Sequence, residues 1–186
     1  MLFIVLLIMV VLSMAGVALM RSVDTATGVA GNLALRQGTF PPVNWAVENA
    51  MNSLTVINKD GDVTANNYYA TLQGGASANG VPAVLQGSKP AMAAAYAAAG
   101  LPWIPADWAA SPSNTLNEVR YVIERMCNAA GPPAINTCDM SPPKMPTATT
   151  GMELQKIPLG RVPFYRVTVR VDGPGNTVTF AQAMLR

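Results

Sequence analysis

The chain has 186 residues, 51% hydrophobic and 12% charged, with a net charge of +2; so weak a field does not attract nucleic acid, and so few charges favour an exported, assembled protein over a soluble cytoplasmic one. Histidine is absent, which removes the commonest general base and metal ligand and any Ser-His-Asp or Cys-His arrangement. Neither GxxxxGK[ST] nor GxGxxG occurs, so the reading is a non-enzymatic protein with no cofactor.

The first element is a long helix. No charge appears before Arg21, and within the first twenty residues only Ser13 and Gly16 interrupt the aliphatic run. That run can cross ~30 Å of hydrocarbon. It is too long for a cleaved signal and lacks a preceding basic stretch. Beyond Arg21, apolar or small residues recur at Val23, Ala26, Ala30, Leu33 and Ala34 with helical spacing, so a helix from Met1 to about Gln37 would be roughly 55 Å long and amphipathic in its second half. Phe3, Val5, Leu6, Met9, Leu12, Gly16, Leu19, Val23, Ala30 and Leu33 are the candidate packing positions of this stem. A plain membrane anchor and a filament stem both remain open on hydropathy alone. Gly38-Thr39-Phe40-Pro41-Pro42 should end or bend the helix near Gly38, dividing the chain into a stem (1–37) and a single-core head (38–186).

In the head, Val43, Val47, Ala50, Met51 and Leu54 share one face of a short helix with Pro42 near its first turn, a lid for the core. Asp60, Asp62, Thr64 and Asn66 alternate as in a calcium loop, but the glycine at the sixth position and the distal glutamate are missing and Asp60-Gly61 is an ordinary turn dipeptide, so a turn is preferred to a metal site. Residues 72–90 read as an irregular loop and 91–99 as an alanine-rich helix stopped by Gly100. Trp103 and Trp108 read as core or interface rather than as a ligand platform.

Val119, Tyr121 and Ile123 alternate with Arg120, Val122 and Glu124, the pattern of a half-buried strand. Cys127 and Cys138 read as a disulfide if the domain lies in an oxidising compartment behind the stem; buried free thiols are the alternative, and two thiolates alone fall short of zinc ligation. Gly131-Pro132-Pro133 and Ser141-Pro142-Pro143-Lys144-Met145-Pro146 form a stiff surface excursion. Residues 165–171 and 177–185, joined at Asp172-Gly173-Pro174-Gly175-Asn176, read as a β-hairpin. With the strand at 119–125 and one near 153–158, the fold is α+β with an antiparallel sheet of three or four strands, covered by the 43–55 helix and the lower stem. Arg120, Arg125, Arg161, Arg166 and Arg170 could line a basic strip, but without interleaved aromatics it reads as a solvated strand face, and nucleic acid is not an expected partner.

Met20-Arg21-Ser22-Val23-Asp24-Thr25, then Ala30-Gly31-Asn32-Leu33 and Arg36-Gln37, resemble the post-membrane signature of PilX-type pilins, a group of type IV pilus subunits, mostly minor ones. The resemblance extends to Asn67-Tyr68-Tyr69-Ala70, Leu101-Pro102-Trp103, Val119-Arg120-Tyr121-Val122-Ile123 and Tyr165-Arg166-Val167-Thr168-Val169-Arg170. It departs at Val5, where many pilins carry a glutamate that pairs with a neighbour's amino terminus, and at the Gly38–Pro42 interruption of what is often one longer helix. The resemblance implies a pilin-like α+β head on a hydrophobic stem and a structural role in a type IV pilus or similar filament. It implies other pilin subunits as partners, the inner membrane before assembly and an extracellular filament afterwards, with surfaces or other cells as further contacts. Minor rank is preferred to main subunit, and the stem is expected to lose regular helix around Ser13-Met14-Ala15-Gly16 on assembly. The competing reading is a bitopic membrane protein whose exported domain binds a small ligand or sugar.

Overall fold

A computed structural model describes residues 2–73, 80–102, 117–142 and 160–186. By internal contacts the chain divides into Met1–Phe40 and Pro41–Arg186. The first unit is dominated by helix α1, Leu2–Gln37. In the single chain it runs unbroken through Ser13–Gly16. The Ser13 hydroxyl donates to the Val10 carbonyl (2.9 Å) and Thr27 to that of Asp24 (3.0 Å), so these polar groups are satisfied by the helix itself. The helix stops where the glycine and prolines predict. The Gly38 N–H still reaches the Ala34 carbonyl (2.9 Å), and α2, Phe40–Val56, starts two residues later with Pro41 and Pro42 in its first turn, where their missing N–H groups are not needed.

The second unit carries a four-stranded sheet in the order β1 (Tyr68–Tyr69), β2 (Glu118–Arg125), β3 (Tyr165–Asp172) and β4 (Val178–Leu185). β2, β3 and β4 pair antiparallel, and the predicted hairpin is present with Tyr165 opposite Leu185 and Asp172 opposite Val178. The sheet is nevertheless mixed, not antiparallel, because β1 pairs parallel to β2 through Tyr68↔Ile123 and Tyr69↔Glu124. A two-residue strand is too short to show an alternating pattern; Asn67, at φ 57°, turns the chain into it and accepts the Ile123 N–H at 2.8 Å. The strand expected near 153–158 lies outside the described residues, as do Trp103, Trp108 and the run from Pro143 to Pro146.

One face of the sheet is covered by α2. Ala46, Ala50 and Leu54, one turn apart, are buried with Tyr68, Val119, Tyr121, Ile123, Tyr165, Val167, Val169 and Val171, and Val43 and Val47 flank them. Met51, expected on this face, is instead 51% exposed; two alanines bring the helix axis close to the sheet and rotate the contact stripe away from it.

The opposite face is not solvated as the alternation suggests. Residues 80–101 lie over it, with Leu85, Met92, Tyr96 and Leu101 packed on Val122. Within this cover α3, Lys89–Ala98, ends as Gly100 predicts. Gly100, at φ +68°, donates to the Ala97 carbonyl and Leu101 to that of Tyr96, a Schellman closure in which Leu101 joins the Tyr96 cluster. The Tyr96 hydroxyl donates to the Tyr121 carbonyl at 2.9 Å, fastening α3 to β2.

Burial pushes the hydroxyls of all five tyrosines, Tyr68, Tyr69, Tyr96, Tyr121 and Tyr165, above their ordinary value of 10.0. A raised folded value means stability that is complete below the unfolded value and lost as pH rises through the folded one. We expect tyrosinate absorbance to appear late, above pH ~10, together with loss of circular dichroism. Early titration of all five rings with the fold intact would contradict the burial described.

Candidate functional site

Two surfaces are candidates, the stem and the loop closed by the cysteines. α1 is long and apolar enough to cross a membrane. Nine of the ten predicted stem positions are exposed and Gly16 is partly covered. At about 100° per residue, Val5, Met9, Leu12, Gly16, Leu19, Val23, Ala30 and Leu33 form one stripe, which Ala26 completes; Phe3 and Leu6 lie off it. Spacings along the stripe alternate between four and three residues. An open groove of about 540 Å³ lined by Ser22, Thr25, Ala26, Val29, Ala30 and Leu33 runs along its edge.

Cys127 and Cys138 are bonded, with Cα atoms 4.0 Å apart, and the Asn128 N–H donates to the Thr137 carbonyl at 2.8 Å. Arg125, fully buried, ties the loop to its surroundings: Nε donates to the Ala70 carbonyl (3.1 Å) and Nη2 to that of Gly131 (2.8 Å). Asp60 pairs with the same guanidinium at 3.8 Å, and its carbonyl accepts the Gly131 N–H at 2.7 Å. Asp62 Oδ1 accepts the Ala70 N–H at 2.7 Å, while Thr64–Asn66 forms a 3₁₀ turn. The two carboxylates of the calcium-loop candidate are thus engaged by separate partners. Among the described residues, no group of three or more His, Cys, Asp or Glu could hold a metal ion.

Beside the disulfide, Leu72, Met126, Asn128, Asn136, Thr137 and Asp139 help to line a polar notch of about 130 Å³, well below the roughly 300 Å³ from which small-molecule sites begin. Reduction of Cys127–Cys138 should cost about 2–3 kcal/mol in the chain-entropy model. Urea melts of the full chain in detergent, with and without reductant, measure this; coincident midpoints would show that the Arg125 staple alone holds the loop.

Of the five arginines in the strip predicted on the outer strand face, three prove to be interior, while Arg166 is half-buried and Arg161 exposed. Arg120, Arg125 and Arg170 are at most 1% exposed. Arg120 and Arg170 oppose each other across β2 and β3, and Asp172 relieves the repulsion, 2.8 Å from Arg170 and 3.5 Å from Arg120. Glu118 continues the chain of charges to Arg120 (3.5 Å) and Lys89 (2.6 Å). Loss of hydration lowers the Arg120 pKa, and Glu118 and Asp172 oppose that shift. At the other end Glu124, fully buried, accepts from Arg166 (2.9 Å) and from the Gln73 N–H (2.6 Å). The signal for this network was the recurrence of both signs of charge on one strand face; an all-positive strip would have had no counter-ions to be buried with.

No protein-family model, curated protein or solved structure matches the chain. Fold and surface define a class: an α+β unit with a four-stranded mixed sheet and one disulfide, following an apolar helix able to span a bilayer.

Proposed function

We propose that this chain is a structural subunit of a type IV pilus or pilus-like filament, assembled through α1, with no catalytic role. The observation that carries this reading is a 36-residue helix whose apolar side chains are left uncovered by their own chain. Such a surface demands lipid or other protein, and its length exceeds the ~20 residues a simple span requires. Withdrawal from the membrane into a bundle of like stems covers both halves, the membrane-length run and the amphipathic continuation. Heterologous head-to-tail contacts between such stems do not close and therefore propagate a fibre. The α+β head is compatible with the pilin-like resemblance, and the PilX-like family supports minor rank.

Shearing cells and fractionating the medium tests the reading. The chain should appear in the filament fraction at a small fraction of the most abundant subunit. Dominance over every other subunit would reverse the rank, and confinement to the membrane would favour the anchored extracytoplasmic domain.

A further inference from the structure

We propose that the stripe on α1 docks a second copy of this chain as a parallel, in-register dimer within the membrane. Neighbours on the stripe are four and three residues apart in alternation, an average of 3.5, from Val5 to Leu33. Between Val5 and Leu35 no polar residue occupies a seam position: Arg21, Asp24, Thr25 and Asn32 face away from it, and Ser13, Ser22 and Thr27 flank it. A repeat of 3.5 in a helix of 3.6 residues per turn keeps one seam facing a partner only if two helices supercoil left-handedly.

The occupant follows from lipid, charge and size. The first half of the seam lies in the span able to cross a membrane, so its partner is another membrane helix rather than a soluble protein. Copies inserted by the same route run parallel and put identical charges at the same level. Such a pair is tolerated only where those charges face away from the contact. Arg21 lies about 180° and Asp24 about 120° round the helix from the seam, and both are exposed. Gly16, with nothing within 4 Å of where its Cβ would be, Ala26 and Ala30 let two backbones approach closely, as apolar helices in lipid require. The contact is self-complementary, so it closes at two copies, unlike the open contacts of a fibre. It does not depend on the filament reading.

The test is thiol scanning of the full chain in liposomes at low protein-to-lipid ratio, where filaments do not form. Both native cysteines are held in the disulfide, so each single substitution supplies one reporter. Oxidative crosslinking should peak at Met9→Cys, Leu12→Cys, Leu19→Cys and Val23→Cys, roughly fivefold or more above Val10→Cys, Val17→Cys and Asp24→Cys. Dilution with lipid should lower all peaks together. Equal crosslinking on every face, maxima on the Arg21 side, or no dimer at all would overturn the proposal, and none of these outcomes bears on recovery of the chain in sheared filaments.

Discussion

Replacing Arg170 by alanine is expected to destabilise the second unit by about 2–4 kcal/mol, the cost of leaving two buried carbonyls without their donor and Asp172 with one cation in place of two. Its guanidinium holds Asp172 through Nε and Nη2 (3.0 and 2.8 Å) and donates through Nη1 to the carbonyls of Leu85 and Gly87 (2.8 and 2.9 Å). One side chain thus neutralises a carboxylate that is 3% exposed and fastens residues 80–101 to the sheet. Without it, Asp172 keeps Arg120 at 3.5 Å, and the carbonyls of Leu85 and Gly87 lose a charged donor. Arg161→Ala, at an exposed position, should stay within ~0.5 kcal/mol. Urea unfolding of both variants, full length in detergent, gives the comparison. A loss below about 1 kcal/mol for Arg170→Ala would mean that the cover over this face contributes little to the fold.

The same face shows where the sequence stopped being legible. Periodicity assigned Val119, Tyr121 and Ile123 to a core face, and the structure puts them there against α2. It also assigned Arg120, Glu124 and Arg170 to solvent, because burial of a charge is costly unless a partner is near, and their covering segment has too little pattern of its own. Residues 80–90 read as part of an irregular loop, and the alanine-rich helix that follows has too few large apolar residues to show which surface it covers. What covers the sheet was therefore invisible, although each partner charge was in view. β1 was missed for a related reason: two residues paired parallel to a distant strand carry a tertiary signal, not a local one. The hairpin, the end of α1, the close of α3 at Gly100 and the disulfide were legible because each rests on chemistry within a dozen residues. The stem was the most legible of all, its composition leaving few alternatives, but composition could not say which side of the helix meets a partner; that required the angular positions of its few polar residues.

A single aspartate in the stem should leave the chain in the membrane, and two should remove it. Between Leu2 and Met20 there are twelve Leu, Ile, Val and Phe residues, worth roughly 4–7 kcal/mol of insertion free energy at about 0.3–0.6 each. Val11 stands at the middle of that run, where aspartate costs about 2.5–3.5 kcal/mol and is too short to reach the interface as lysine or arginine can. Val11→Asp therefore still leaves insertion favourable at the middle of these ranges, by about 2 kcal/mol. Adding Val10→Asp doubles the penalty to about 5–7 kcal/mol and cancels it, a change of several powers of ten in the partition, since 1.4 kcal/mol is about tenfold. Thr25→Asp, beyond Arg21 and beside Asp24, should leave partition near wild type, because that turn is already polar. Resistance to carbonate extraction, measured on all three variants and the wild type, separates these cases: retention of the double variant would show that something other than hydrocarbon holds the stem, while release of Val11→Asp alone would show that far fewer of its residues sit in lipid than the charge-free run contains.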